Sequence, residues 1–235
     1  MDLFDKVPAQ AVKVAEGAIL LPRFALHDQA QLLADLTAIL AISPLRQMVT
    51  PGGFTMSVAM TNCGDLGWIS DKKGYRYDAL DPNTGEPWQV MPPSFFVLAK
   101  QAAGEAGFAN FVPDACLINQ YKTGAKMSLH QDKDEQDFSQ PIVSVSLGMP
   151  ATFLFGGLKR SDKPRKILLQ HGDVIVWGGK SRLNYHGIMP LKAANIQTNT
   201  ARQPLSNSLH EFDSPCNHAA FGAYRYNLTF RKAGL

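Results

Sequence analysis

The sequence predicts a mainly β protein, an antiparallel sandwich or barrel with supporting helices. From residue 115 onward six short stretches, β-branched or aromatic, are separated by Gly, Pro or Asp turns. Apolar residues at helical spacing are confined to two segments in the first half of the chain. With 45% hydrophobic and 18% charged residues, the 235-residue chain has a globular composition and can bury a core without disulfides. That length suits a single domain, residues 1–235, better than two equal ones.

Taken in order, residues 17–24 (GAILLPRF) read as an extended stretch. A helix is expected over 28–41, where Leu32, Leu33, Leu36, Ile39 and Leu40 recur at helical spacing and Pro44 stops the pattern. Residues 50–93 are rich in Gly, Pro, Asn, Asp and Tyr, and read as hairpins and loops rather than a continuous core element. A long irregular segment in a compact domain is usually functional. Ser94 is expected to cap a second helix running to Ala106 and stopped by Gly107. Strands are expected at 115–121, 142–148, 151–157, 165–170, 174–179 and 223–231. The stretch 191–222 is polar and aperiodic, as in a surface loop inserted before the last strand.

A net charge of +3 permits contact with phosphates without demanding it. Cys63, Cys116 and Cys216 are too few and too widely spaced for a disulfide framework, which fits a reducing compartment. The N-terminus carries Asp2 and Asp5 and no apolar signal region. No apolar run approaches the ~20 residues of a spanning helix. A cytoplasmic location and no membrane partner are expected.

The chemistry centres on His130-Gln131-Asp132, with His186 far downstream. Two imidazoles and a carboxylate on one face of an open site form the facial triad of non-haem Fe(II) oxygenases, which leaves positions open for cosubstrate and oxygen. The i, i+2 spacing puts His130 and Asp132 on one side of an extended chain. Alone, H-x-D is a weak signal that arises by chance. The last strand adds weight. Its alternation places Arg225, Asn227, Thr229 and Arg231 on one face, with Tyr226, Leu228 and Phe230 on the other. By position alone the arginines would be an exposed strand face at the chain end. Facing inward they need anions, which a dicarboxylate supplies in a form Arg grips bidentately. Asn119 and Tyr121 share a face one strand before the triad. Asp132, Asp134 and Asp137 lack the Gly and flanking helices of a calcium loop. Cys63 and Cys116 have no sign of a nucleophile's base and read as packing residues.

The runs PDACLINQYKTGAKMSLHQDKDE, IVSVSLG, FLFGGLKR, HGDVIVWGGKSRLNYHGI and RYNLTFR, with TPGGFTMSVAMTNCGDLGW upstream, resemble the AlkB family of alkylated-DNA repair dioxygenases. The resemblance extends from the first helix to Arg231. It implies a double-stranded β-helix (jelly-roll) core, and Fe(II) held by His130, Asp132 and His186. It implies 2-oxoglutarate held by Arg225 and Arg231 with Asn119, Tyr121 and Asn227, and O2 as the second cosubstrate. Residues 50–77 resemble the family's nucleotide-recognition lid, beneath which a base is taken out of its stack before oxidation. By the same resemblance Trp68 stacks on the flipped base opposite His130, and Tyr75 meets the nucleotide phosphate. Met56 and Ser57 line the lid, Asp134 and Glu135 lie near the base edge, and Arg160 stands at the mouth. Carboxylates there suit cationic bases such as 1-methyladenine or 3-methylcytosine. The implied activity is oxidative demethylation, releasing formaldehyde and succinate. The implied partners are alkylated single- or double-stranded DNA, or RNA, met by a monomer. A similar core could instead hydroxylate a protein or a small molecule, but such an enzyme has no use for Trp68 and Tyr75 in a lid. The chain departs from the family pattern in a longer segment between His186 and Arg225. His210, Cys216 and His218 in that segment lack matched ligand pairs and read as loop residues.

Overall fold

The computed structural model describes residues 10–193 and 221–234. Most of the expected inserted loop, with His210, Cys216 and His218, lies outside the described residues.

Two sheets form a jelly roll. The large sheet has eight strands: β1 (Val12–Ala15), β2 (Ala18–Leu21), β3 (Arg46–Val49), β4 (Thr55–Gly64), β7 (Ala115–Tyr121), β9 (Ile142–Gly148), β12 (Val174–Trp177) and β14 (Arg225–Arg231). Their order across the sheet is β1-β2-β12-β9-β14-β7-β4-β3, all antiparallel. The small sheet runs β11-β10-β13-β8, from β11 (Arg165–Leu169), β10 (Ala151–Phe155), β13 (His186–Ile188) and β8 (Met127–His130). A separate hairpin pairs β5 (Gly67–Asp71) with β6 (Gly74–Asp78).

The central strands of the large sheet are buried on both faces, and their period-2 alternation sorts side chains between two cores. Val143, Val145 and Leu147, with Cys116, Ile118, Leu228 and Phe230, face α1 (Gln29–Ile42) and α2 (Pro93–Glu105), meeting Leu32, Leu36, Phe95 and Leu98. The opposite face meets the small sheet, where Ile142, Leu117, Ile175 and Trp177 pack with Phe153, Phe155, Leu169 and Ile188. The inward set on β14 therefore faces the second core, as its alternation predicts.

Several local expectations change. Ser94 does not cap α2; Pro92 holds that position, and the Ser94 hydroxyl bonds Asp35 on α1. Pro93 at the helix start needs no amide partner, so a side-chain cap is dispensable there. Residues 17–24 are not one extended stretch, because β2 ends at Leu21 and a 3-10 turn begins at Phe24. Residues 50–93 are not only hairpins and loops. β4 is a ten-residue strand paired with both β3 and β7, and it buries Val58, Met60 and Cys63. Its polar composition hid it, since Thr61 and Asn62 are buried as well. β8 and β13 were not foreseen, being four and three residues long, too short to show a period. Their close approach needs Gly187, where a Cβ would lie 2.6 Å from the Met127 carbonyl oxygen.

Candidate active site

The residues singled out in the sequence converge on one cavity of about 750 Å³ between the two sheets. The small sheet supplies the imidazoles. His130 at the end of β8 and His186 at the start of β13 are cross-strand partners, with ring centroids 4.4 Å apart. Asp132 follows just beyond β8, its Oδ1 lying 3.5 Å from His130 Nε2 and 3.8 Å from His186 Nε2. The three ligand atoms lie within 4.8 Å of one another, a spacing able to hold a metal ion. The second ring nitrogens settle the tautomers. Nδ1 of His130 is 2.9 Å from the Ser128 carbonyl oxygen, and Nδ1 of His186 is 3.0 Å from that of Asn184. A carbonyl only accepts, so each Nδ1 carries the proton and each Nε2 lone pair is left for a metal.

The electrostatics agree with a cation site. Burial alone would raise the Asp132 carboxyl, but the charge of Arg231 and the two imidazoles overrides it and holds the group well below the ordinary carboxylate range. Burial pushes His186 down to about 4, which keeps it neutral as a ligand must be.

The large sheet supplies the opposite wall through β14 and β7. Arg225 is 1% exposed; its Nη2 donates to Ser146 Oγ at 3.0 Å, while Nε and Nη1 find no partner among the described residues. Burial drives its guanidinium down to about 10. A buried arginine with two free donors is costly unless an anion completes it, so a carboxylate of a small dicarboxylate fits here. Tyr121, on the strand beside it, is raised to about 12 by burial and stays a neutral hydroxyl.

Arg231 is placed differently from the sequence expectation. Its Nε and Nη2 donate to Asp132 Oδ2 at 3.0 and 2.6 Å, and Nε also lies 3.2 Å from Glu135 Oε1. Only Nη1 is unpartnered. It therefore offers a cosubstrate one donor, not a bidentate fork. Asn227 is engaged too: its Nδ2 donates to Ser144 Oγ and the Val145 carbonyl, and its Oδ1 accepts from Thr229. The atom left free on Asn119 is Oδ1, an acceptor.

At the rim, β5 and β6 bring Trp68 and Tyr75 into a parallel stack, centroids 5.6 Å apart and planes 13° apart. The Trp68 indole N–H donates to Asp134 Oδ2 at 2.8 Å. Met56, Ser57 and Arg160 line the same cavity. Ser57 and Lys126 exchange hydrogen bonds that tie β4 to the approach of β8. Glu135 differs from Asp134. It is buried, accepts from Tyr77 at 2.7 Å, and pairs with Arg182 at 3.0 Å as well as with Arg231. Its oxygens are already used, which leaves Asp134 as the carboxylate at the mouth.

Sequence reasoning missed Tyr77, Ser146 and Arg182. Arg182 donates to the Asp132 and Gln140 carbonyls and so clamps the loop after β8. No local pattern marks any of the three; only the alternation within IVSVSLG could have placed Ser146 on the pocket side.

The 2OG-Fe(II) oxygenase superfamily model matches residues 17–231. The alpha-ketoglutarate-dependent dioxygenase AlkB of Escherichia coli (strain K12) is 53% identical over 234 residues, covering 100% of this chain and 98% of that protein. The nucleic acid dioxygenase ALKBH1 of Mus musculus is 31% identical over 160 residues, 65% of this chain and 40% of that one. The solved structure of OsALKBH1 superposes with a TM-score of 0.75 at 30% identity, covering 95% of this chain and all of that one.

Proposed function

The chain belongs to the 2OG-Fe(II) oxygenase superfamily and, within it, to the AlkB dioxygenases, and from that premise we propose how its residues divide the work. It is an Fe(II)- and 2-oxoglutarate-dependent dioxygenase that demethylates alkylated nucleic-acid bases. His130, Asp132 and His186 would hold the iron. Bound together, iron, 2-oxoglutarate and oxygen supply the power to hydroxylate an N-methyl carbon, which leaves as formaldehyde while the cosubstrate ends as succinate and carbon dioxide.

The chain's own part is binding, orientation and shielding. Arg225, seated by Ser146, takes the distal carboxylate of 2-oxoglutarate on a free donor of its guanidinium, with the Tyr121 hydroxyl beside it. Arg231 holds Asp132 Oδ2 and thereby turns Oδ1 toward both imidazoles, and its remaining Nη1 serves the proximal carboxylate. Trp68 provides an aromatic wall for the flipped base, Tyr75 backs that wall and meets the phosphate, and Asp134 faces the cationic base edge. Residues 50–77 act as the lid, with Met56 and Ser57 along it and Arg160 across the mouth. The enzyme acts in the cytoplasm as a monomer, on single- or double-stranded DNA, with RNA as a second substrate. Among the described residues no helix is long and apolar enough to cross a membrane.

The observation that carries this reading is the convergence, in one cavity, of a His-Asp-His cluster with a fully buried arginine that has two unpaired donors. The test is mass spectrometry of oligonucleotides bearing single methyl lesions, after incubation with enzyme, Fe(II), 2-oxoglutarate and oxygen. The expected result is loss of the methyl mass with one succinate formed per repaired base. Repair of no lesion, with succinate formed no faster in the presence of oligonucleotide than in its absence, would point to a protein or small-molecule substrate.

A further inference from the structure

One aromatic of the lid, at the cavity mouth, has no contact of its own assigned to it. Phe54 ends the turn between β3 and β4, is 76% exposed and borders the same cavity as the His-Asp-His cluster. It belongs to neither hydrophobic core. Leaving a phenylalanine ring in water forgoes one of the largest apolar burials a side chain can make.

The turn that presents it is well defined. The Thr50 amide donates to the Phe54 carbonyl at 2.9 Å, the Gly53 amide to the Thr50 carbonyl at 2.8 Å, and the Phe54 amide to Thr50 Oγ1 at 3.1 Å. Gly53 takes φ +84°, a conformation that side chains other than glycine rarely adopt. The arm is braced from three sides. Gln47 bonds the Met56 carbonyl, Ser70 on β5 bonds the Val49 carbonyl, and Ser57 bonds the Lys126 backbone. Lys126, Lys133 and Arg160 border the same cavity. An exposed aromatic on a fixed arm, with cations around it, is the combination that holds single-stranded nucleic acid: rings stack on bases while cations follow the phosphates.

We propose that Phe54 stacks on the base next to the flipped one. The inference rests on the base-demethylation reading above. Flipping one base removes a stacking partner from each neighbour, and Phe54 supplies a replacement. It stands on a different hairpin from Trp68 and is more exposed, so the two rings address different bases.

The test compares KM for three substrates: a pentanucleotide with a central 1-methyladenine, the same pentanucleotide with abasic flanks, and 1-methyl-dAMP. Phe54→Ala should raise KM for the first about 5–150-fold, the range base–aromatic stacking commands. It should leave the other two substrates, the melting temperature and the 2-oxoglutarate affinity at wild-type values. Phe54→Tyr should retain most of the wild-type KM, and Trp68→Ala should weaken all three substrates. An unchanged KM for the normal pentanucleotide in Phe54→Ala would overturn the proposal. So would an equal loss with abasic flanks, since the ring would then be gripping something other than a flanking base. If the wild-type protein demethylates none of the three, the base-demethylation reading itself falls; if it demethylates them and Phe54→Ala behaves as wild type, only the role of Phe54 falls.

Discussion

On the cavity floor His186 and Arg225 are buried and Asp132 is half-buried, and protein atoms hold each in place: Arg231 on Asp132, the Asn184 carbonyl on His186, Ser146 on Arg225. Trp68, Tyr75 and Phe54 at the rim are partly or largely exposed; the Trp68 indole donates to Asp134, while the Asn62 side chain holds the Trp68 backbone. The floor's geometry is set by strand pairing on both sheets, which suits ligands that must sit at fixed distances. The rim is carried by two hairpins, which suits a polymer that must enter and leave. A substitution on the floor should therefore disturb chemistry with every substrate. One at the rim should disturb only the grip on nucleic acid.

The largest effect is expected at the three candidate ligands. His130→Ala, Asp132→Ala and His186→Ala should each abolish both repair and DNA-free succinate formation. Asp132→Ala should also unfold more easily, because it strips Arg231 of its closest anion, and breaking a buried pair costs about 3–5 kcal/mol. Thermal denaturation should separate it from His186→Ala. Near-normal turnover in any of the three would remove that residue from the ligand set.

Next come the two arginines, where the structure sharpens the expectation drawn from sequence. Arg225→Ala should weaken 2-oxoglutarate binding by roughly 2–5 kcal/mol, since a desolvated carboxylate loses its charged hydrogen-bond partner. Arg225→Lys should not restore it, because ammonium lacks the planar fork. Arg231→Ala should reduce metal affinity and stability more than 2-oxoglutarate affinity, because two of its nitrogens serve Asp132. Calorimetric titration of both ligands into both variants checks the ordering, and the reverse pattern would exchange the two roles.

A smaller effect, confined to nucleic acid, is expected at the rim. Trp68→Ala should raise KM for a methylated oligonucleotide about 5–150-fold, the equivalent of roughly 1–3 kcal/mol of base stacking. DNA-free succinate formation should barely change. If both fall together, Trp68 is a structural residue of the hairpin. The smallest effect belongs to Asp134→Asn, which keeps an acceptor for the indole but removes the charge beside the base. A loss of about 1 kcal/mol in oligonucleotide KM, several-fold, is expected for cationic lesions, with less for neutral ones.

Much of the floor was legible in the chain. Alternation alone put Arg225, Asn227, Thr229 and Arg231 on one side of β14, because a strand's period of two needs no tertiary information. The helices and four of the eight large-sheet strands, β7, β9, β12 and β14, were legible for the same reason, as runs long enough to show a period. β8 and β13 were not, although they carry the imidazoles, since four and three residues show no period and their pairing spans 56 residues of sequence between His130 and His186. Glu135 and Asp134 are neighbours in sequence with the same functional group, and nothing local foretells that one is buried among Arg182, Arg231 and Tyr77 while the other meets an indole at the rim.

By itself, then, the sequence determined the residue types of the site and the shared face of the arginines on β14, because alternation is written locally, and its extended resemblance to a known family carried the kind of chemistry. Only the tertiary structure decided which arginine is free to meet a cosubstrate, which carboxylate is spent on ion pairs, and which aromatic is left in water. Those outcomes depend on which buried groups satisfy one another across separate strands, and a buried charge is satisfied by whatever the fold brings within about 3 Å, however far away it lies along the chain.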